Sequence, residues 1–586
     1  KFTHTNQHNY VSSEVSGEDI IGIGKLKQRD FTTKSDHISS SENASIINAT
    51  ANSPSITHVQ KVDVRSKPQD IEFAQSTASV EPNITLDLPT NPTFSRFTLK
   101  SIGQYQLCDT LEITIEARDV KNKVKTYGGD YFWIWIYNKE LRASAAADDI
   151  IDHQNGTYTA RFQLHWTGVV KVSVLSLIHS SEAIVVLRRI RNEFPARWAY
   201  KGRFKAGNAA EIMSCHITED MYFPPTAAKA SVVRKFCNFT DGKTGFPWFC
   251  EKPKQLSHAV HITSLKAVIP IGLIRSKIQR TVVQLTRLHL DYQSIYFSDF
   301  FSPVLISASI ANIPVKESDM QISSSCDNNK LPRCSLGIMP RPKDGTTGFY
   351  YHDKWNSLVC KNREFTIPEI RKCLQNQRLH FWGDSTLRQW YEYFASLMKS
   401  TLVEQKAANS KFGPHVAVDK AFNISFFYRH HGFPIRNSWT PVKDIHYVPN
   451  MIDELQGDNN EIVLLSLWAH FTASNEAFYR NRWQGVKDSI LRLKARNPRA
   501  RIIMEIKSAN TREPAIIDNL SWSGSWYAWT LDQMMRRMML GVDGVTIIDV
   551  WDMTIGHRTG VRIHPLSQVI SQEIGMLLSF LCPDPS

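Results

Sequence analysis

The chain lacks any apolar run long enough to cross a bilayer. Near its middle the longest, 267–274, has eight residues and contains Pro270, against the roughly 18–20 that a spanning helix needs. None of its nine cysteines stands in a Cys-x-x-Cys pair. That removes the usual spacings of structural zinc and of thioredoxin-like exchange. Neither zinc-finger spacing nor an RNP-type aromatic motif occurs, so the marks of a dedicated nucleic-acid binder are missing. Glycine at every third position and sustained heptads are missing too, which excludes collagen and coiled coil.

What is present is ordinary globular material with a basic excess. At 586 residues and 42% hydrophobic, the chain is too long for one core and is expected to form two to four domains. Lys and Arg exceed Asp and Glu by 69 − 56 = 13, a balance that fits an acidic partner such as nucleic acid, anionic lipid or an acidic glycan. Its densest basic groups, Arg188-Arg189-Ile190-Arg191, Arg496 to Arg501 and Arg536-Arg537, are short and scattered. They read as a general basic surface, and no nucleic acid is expected.

Seven Asn-x-Ser/Thr sequons stand at Asn43, Asn48, Asn83, Asn155, Asn238, Asn423 and Asn519. With the loop-placed cysteines they favour an oxidising compartment, either Golgi lumen or extracellular space. The sequence opens at Lys1 without a signal-like apolar segment, as it would after loss of a signal or anchor or after trimming. Membrane attachment is therefore expected only through a segment absent from this sequence.

Four regions follow from the pattern. Residues 1–90 are rich in Ser, Thr, Asn and His and read as a mobile stem. Residues 91–200 carry short runs rich in Val, Ile, Tyr and Trp at 111–117, 131–137, 157–164, 169–177 and 183–187. Turn signals separate them, as in an Ig-like β-sandwich. Residues 201–345 hold five cysteines and read as a cysteine-bearing connector. From 346 to 586, strand-like runs at 379–381, 462–467, 501–506 and 545–550 alternate with helical stretches at 386–399, 476–496, 526–540 and 566–580. That alternation implies a mostly parallel, three-layer α/β domain, whose site should lie beyond the carboxyl ends of the strands.

At that edge stands Phe381-Trp382-Gly383-Asp384-Ser385-Thr386-Leu387-Arg388-Gln389-Trp390. A strand running through Gly-Asp-Ser into a helix places Ser385 where free N–H groups and the positive helix end can hold an oxyanion. Simple capping by Asp or Ser explains the same tripeptide. A serine nucleophile needs a base. His564, in Ile563-His564-Pro565, follows the last clear strand and falls at the same edge. His470, in Ser466-Leu467-Trp468-Ala469-His470-Phe471, and Asn510, in Lys507-Ser508-Ala509-Asn510-Thr511-Arg512, follow two other strands.

These segments together resemble the PC-esterase domain of the NXPE family, and the β-rich stretch before them is similar to that family's neurexophilin-like domain. The resemblance implies an SGNH-like fold and an acyl-serine intermediate that moves O-acetyl groups onto or off glycan hydroxyls, sialic acid among them. It implies Ser385 as nucleophile and His564 as general base, with Gly383, Asp384, His470 and Asn510 as oxyanion or substrate contacts. No metal and no bound cofactor are expected; acetyl-CoA is a candidate acyl donor, and a glycan or glycoprotein the substrate. One departure stands out. The family places Asp three residues before this histidine, and this chain has Val561 there. Asp549 and Asp552 are the candidate orienting acids in its place. The alternative is a secreted or luminal binding protein with a degenerate esterase domain.

Overall fold

The structure, a computed structural model, describes most of residues 88–582. Outside the described residues lie 1–87, 92, 101–104, 194–198, 218–234, 257–260, 269–303, 306–311, 317–325, 327–330, 337–344, 399–401, 407–410, 436–438, 499–502, 508–523, 558, 560–561 and 583–586. The expected stem, Asn43, Asn48, Asn83, Asn510, Asn519 and Val561 therefore fall outside them.

Alternating side chains explain the C-terminal layers. Along Glu461–Ser466, Ile462 and Leu464 join one buried cluster with Leu379, Phe381 and Phe426. Val463 and Leu465 join a second with Trp382 and Ile547. A strand apolar on both faces must be covered on both. Helices Ser385–Leu397 and Ser567–Leu581 cover the first face through Leu387, Trp390, Ile570 and Leu577. Glu476–Arg496 and Ser525–Met539 cover the second through Trp483, Val486, Leu531 and Met535.

The sheet between them has seven strands, in the order Leu402–Lys406, His415–Asp419, Ile424–His430, Arg378–Gly383, Glu461–Ser466, Ile503–Lys507, Val545–Ile548. The last five of these are mutually parallel, and the two ladders that join the first three strands are antiparallel. In chain order the middle strand comes first. The chain then builds the left side before crossing to the right. Connections on the two sides diverge just after Gly383, where open α/β sheets form their crevice.

Two further sheets pack face to face ahead of this domain. The four-stranded one is Arg96–Leu99, Thr110–Glu116, Thr157–Gln163, Asp149–Asp152, all antiparallel. Leu111, Ile113 and Phe162 on it meet Phe132, Ile136, Val172 and Phe349 from the larger sheet. That larger sheet takes in Gly348–Tyr351 and Lys354–Ser357. The sequence boundary near 346 is thus not a sheet boundary. The run 183–187 was expected as a strand and lies instead within helix Ser181–Glu193. Its residues are buried almost all round, and a short, wholly apolar run carries no periodicity to separate the two states. The helix starts where Asp130 Oδ1 accepts the Ser181 N–H at 2.8 Å and Ser180 Oγ the Ala183 N–H at 3.2 Å.

The connector builds a six-stranded sheet, Phe236–Asn238, Phe249–Glu251, Ala209–His216, Ala199–Ala206, His261–Val268, Thr440–Pro441. Its last strand comes from the C-terminal region, so the two regions share a sheet. Four disulfides occur among the described residues, Cys108–Cys326, Cys215–Cys250, Cys334–Cys360 and Cys373–Cys582, with Cys237 free. Bonded cysteines on this scale belong to oxidising surroundings and fit a secreted or luminal protein. No helix among the described residues is long and apolar enough to cross a membrane.

Candidate active site

Gly383 ends the central strand in register with His430 on one side and Ser466 on the other. A Cβ there would stand 2.6 Å from the Ser466 carbonyl oxygen and 3.0 Å from Leu387. Glycine is required by this close approach of two backbones. Asp384 follows in extended conformation as the N-cap of helix Ser385–Leu397.

Asp384 is fully buried, and both carboxylate oxygens are occupied. Oδ1 accepts the Thr386 N–H at 2.8 Å and its hydroxyl at 2.7 Å. Oδ2 accepts the Ala469 N–H at 2.8 Å and the Trp468 N–H at 3.4 Å. Burial by itself would raise its pKa, but nearby His470 and His431, together with these donors, hold the carboxyl below its ordinary value. The acid therefore ties the helix start to the loop that follows Glu461–Ser466. It gives four donors one acceptor and offers no proton of its own to an oxyanion.

Ser385 is the first residue of the helix and is partly exposed. Its N–H is among those that a helix start leaves without an intrahelical acceptor. Across the crevice, His564 Nε2 lies 2.8 Å from Ser385 Oγ, within hydrogen-bond reach of a nucleophile and its base. Two contacts hold the two elements together. Gln389 Nε2 donates to the Pro565 carbonyl at 3.2 Å, next to His564. Trp390 Nε1 donates to Glu573 on the terminal helix at 2.6 Å.

Asp549 follows the last strand, Val545–Ile548. Its Oδ2 pairs with Arg536 at 2.9 Å and its Oδ1 accepts the Trp551 N–H at 3.1 Å. Asp552 is buried, and its Oδ2 accepts the Thr347 N–H at 2.8 Å and hydroxyl at 3.1 Å. Three of the sequons are described. Asn155, Asn238 and Asn423 are all exposed, on turns or strand ends.

His470 is buried, and its Nδ1 lies 3.1 Å from His430 Nε2. The His431 ring lies tilted against His430 and edge-on to His470. Burial lowers the pKa of His430 well below normal, and that of His431 to about 4. Gln389, His430 and His431 were missed in the sequence. Alternation over Ile424–His430, whose even-numbered residues are buried, marks a strand. The carboxyl-edge rule applied to it would have found both histidines.

Residues 355–582 match the family model described as the NXPE family member 4-like C-terminal domain. Residues 98–271 match the model described as neurexophilin. The two matches, in this order along one chain, support the NXPE family.

Proposed function

We propose that this chain is an SGNH-type carbohydrate O-acetyltransferase or acetylesterase of the secretory pathway, acting through an acetyl-Ser385 intermediate. The observation that carries the reading is the 2.8 Å approach of His564 Nε2 to Ser385 Oγ at the head of a helix and the edge of a parallel sheet. In the first step Ser385 Oγ attacks the acetyl carbonyl while His564 Nε2 takes its proton. The Ser385 N–H and the positive helix end stabilise the oxyanion. Collapse expels the donor's alcohol or thiol, which leaves with the proton from His564. In the second step a glycan hydroxyl, or water, gives its proton to His564 and attacks the acetyl carbonyl, and the bond to Ser385 Oγ breaks as His564 passes that proton to it.

For Nε2 to accept, Nδ1 must carry the hydrogen. We assign that orientation to Asp549, which follows the last parallel strand at the carboxyl edge, in place of the family acid replaced by Val561. Asn510 is assigned to oxyanion or substrate contact. Val561 also favours a second reading, a binding protein with an inactive esterase domain, since losing the acid of a triad can cost about 10⁴-fold in rate.

The test is acetyl incorporation from an activated acetyl ester, followed by transfer to a sialylated or a neutral glycan. Ser385→Ala is expected to abolish it, and Asp549→Asn to lower it by orders of magnitude. Val561→Asp should change it little if Asp549 already serves. No incorporation in wild type or in Val561→Asp would favour the binding protein.

A further inference from the structure

The oxygen-ester chemistry leaves three buried histidines without a task. His430 ends the strand beside Gly383, His431 follows it, and the loop carrying His470 folds back against them. One ring nitrogen from each lies within 4.8 Å of the other two. The pair His430 Nε2 and His470 Nδ1 is 3.1 Å apart and shares a hydrogen bond. Tetrahedral zinc with bonds of about 2.0–2.1 Å separates its ligand atoms by roughly 3.3 Å, so that pair already has nearly the spacing of two ligands.

Packing pairs His430 with His470 and leaves His431 over. Both ring nitrogens of His431 are sealed from solvent and have only backbone groups of His431 and Gly432 near them, with no side-chain partner. The rings stand among Phe412 and Phe471, an apolar shell of the kind that surrounds many metal sites. The buried Asp384 carboxylate interacts with His431 and His470 and would offset a cation's charge.

We propose that His430, His431 and His470 bind a divalent cation of the zinc class, with water in the fourth position. The ion braces the ends of two strands, His430–His431 and the loop to His470, around the Asp384 cap that starts the Ser385 helix. This assignment makes His470 a ligand instead of a substrate contact. It adds a metal where the sequence suggested none, and it does not depend on whether Ser385 carries an acyl group.

Protein secreted without a polyhistidine tag should contain about one equivalent of zinc by elemental analysis, as expected for a folded site. After chelation, Co²⁺ should restore about one equivalent with the visible absorption of tetrahedral coordination, displaced by Zn²⁺. His431→Asn and His470→Asn should each lose the metal and the zinc-dependent rise in Tm. The proposal is overturned if wild type holds less than about a tenth of an equivalent and shows neither the Co²⁺ spectrum nor a Tm shift with Zn²⁺. It is equally overturned if both folded variants keep wild-type stoichiometry, since surface histidines would then hold the metal. Should the variants fail to fold, the wild-type Co²⁺ spectrum decides alone: tetrahedral bands sustain the site, and octahedral, aquo-like bands reject it.

Discussion

Gln389 sits one turn along the helix from Ser385 and reaches across to the Pro565 carbonyl, so it fixes the loop that presents His564. It touches no reacting atom and acts by position. Gln389→Ala should slow acetylation of Ser385 by about 10- to 100-fold, the scale set by small misplacements of catalytic groups. KM for the acyl donor and the circular dichroism spectrum should change little. A rate within error of wild type would contradict the positioning role. Ser385 and His564 stood out in the sequence because Ser385 opens the helix after a strand and His564 lies in the loop before the terminal helix, and the structure brings the two together. Gln389 did not stand out, because a glutamine's hydrogen bond to a carbonyl 176 positions away leaves no local pattern. Gly383 is expected from the sequence as an oxyanion or substrate contact. What demands it is the Ser466 carbonyl.

Among the elements, the central strand and its helix decide the site. Gly383→Ala would place a methyl 2.6 Å from the Ser466 oxygen, and neither backbone can yield without breaking the parallel ladder. A loss of about 1–3 kcal/mol is expected, the usual cost of overpacking, read as a lower midpoint in chemical denaturation. An unchanged midpoint would mean that the strand ends can separate, and that the Asp384 cap is not held as tightly as its four hydrogen bonds suggest. Strands at the four C-terminal apolar runs were readable because strands in a covered parallel sheet are apolar throughout. The 183–187 run misled for the same reason, since a buried helix can be equally apolar. The connector was unreadable because its sheet is closed by Thr440–Pro441, far away in sequence.

Across the whole molecule, the terminal helix that follows His564 is pinned by Cys373–Cys582, a bond closing 209 positions of chain. Replacing both cysteines by serine should cost about 2–5 kcal/mol and lower Tm in the oxidised protein. Equal Tm values would show that packing against Leu387 and Trp390 suffices to hold that helix. Reading one serine as activated among all the serines of the intact protein is the central claim. The direct measurement is reaction of wild type with a serine-directed fluorophosphonate, followed by intact mass and peptide mapping. The account predicts a single adduct, mapped to Ser385, and its loss in both Ser385→Ala and His564→Ala. An adduct on another serine, or none on a folded wild-type chain, would contradict it.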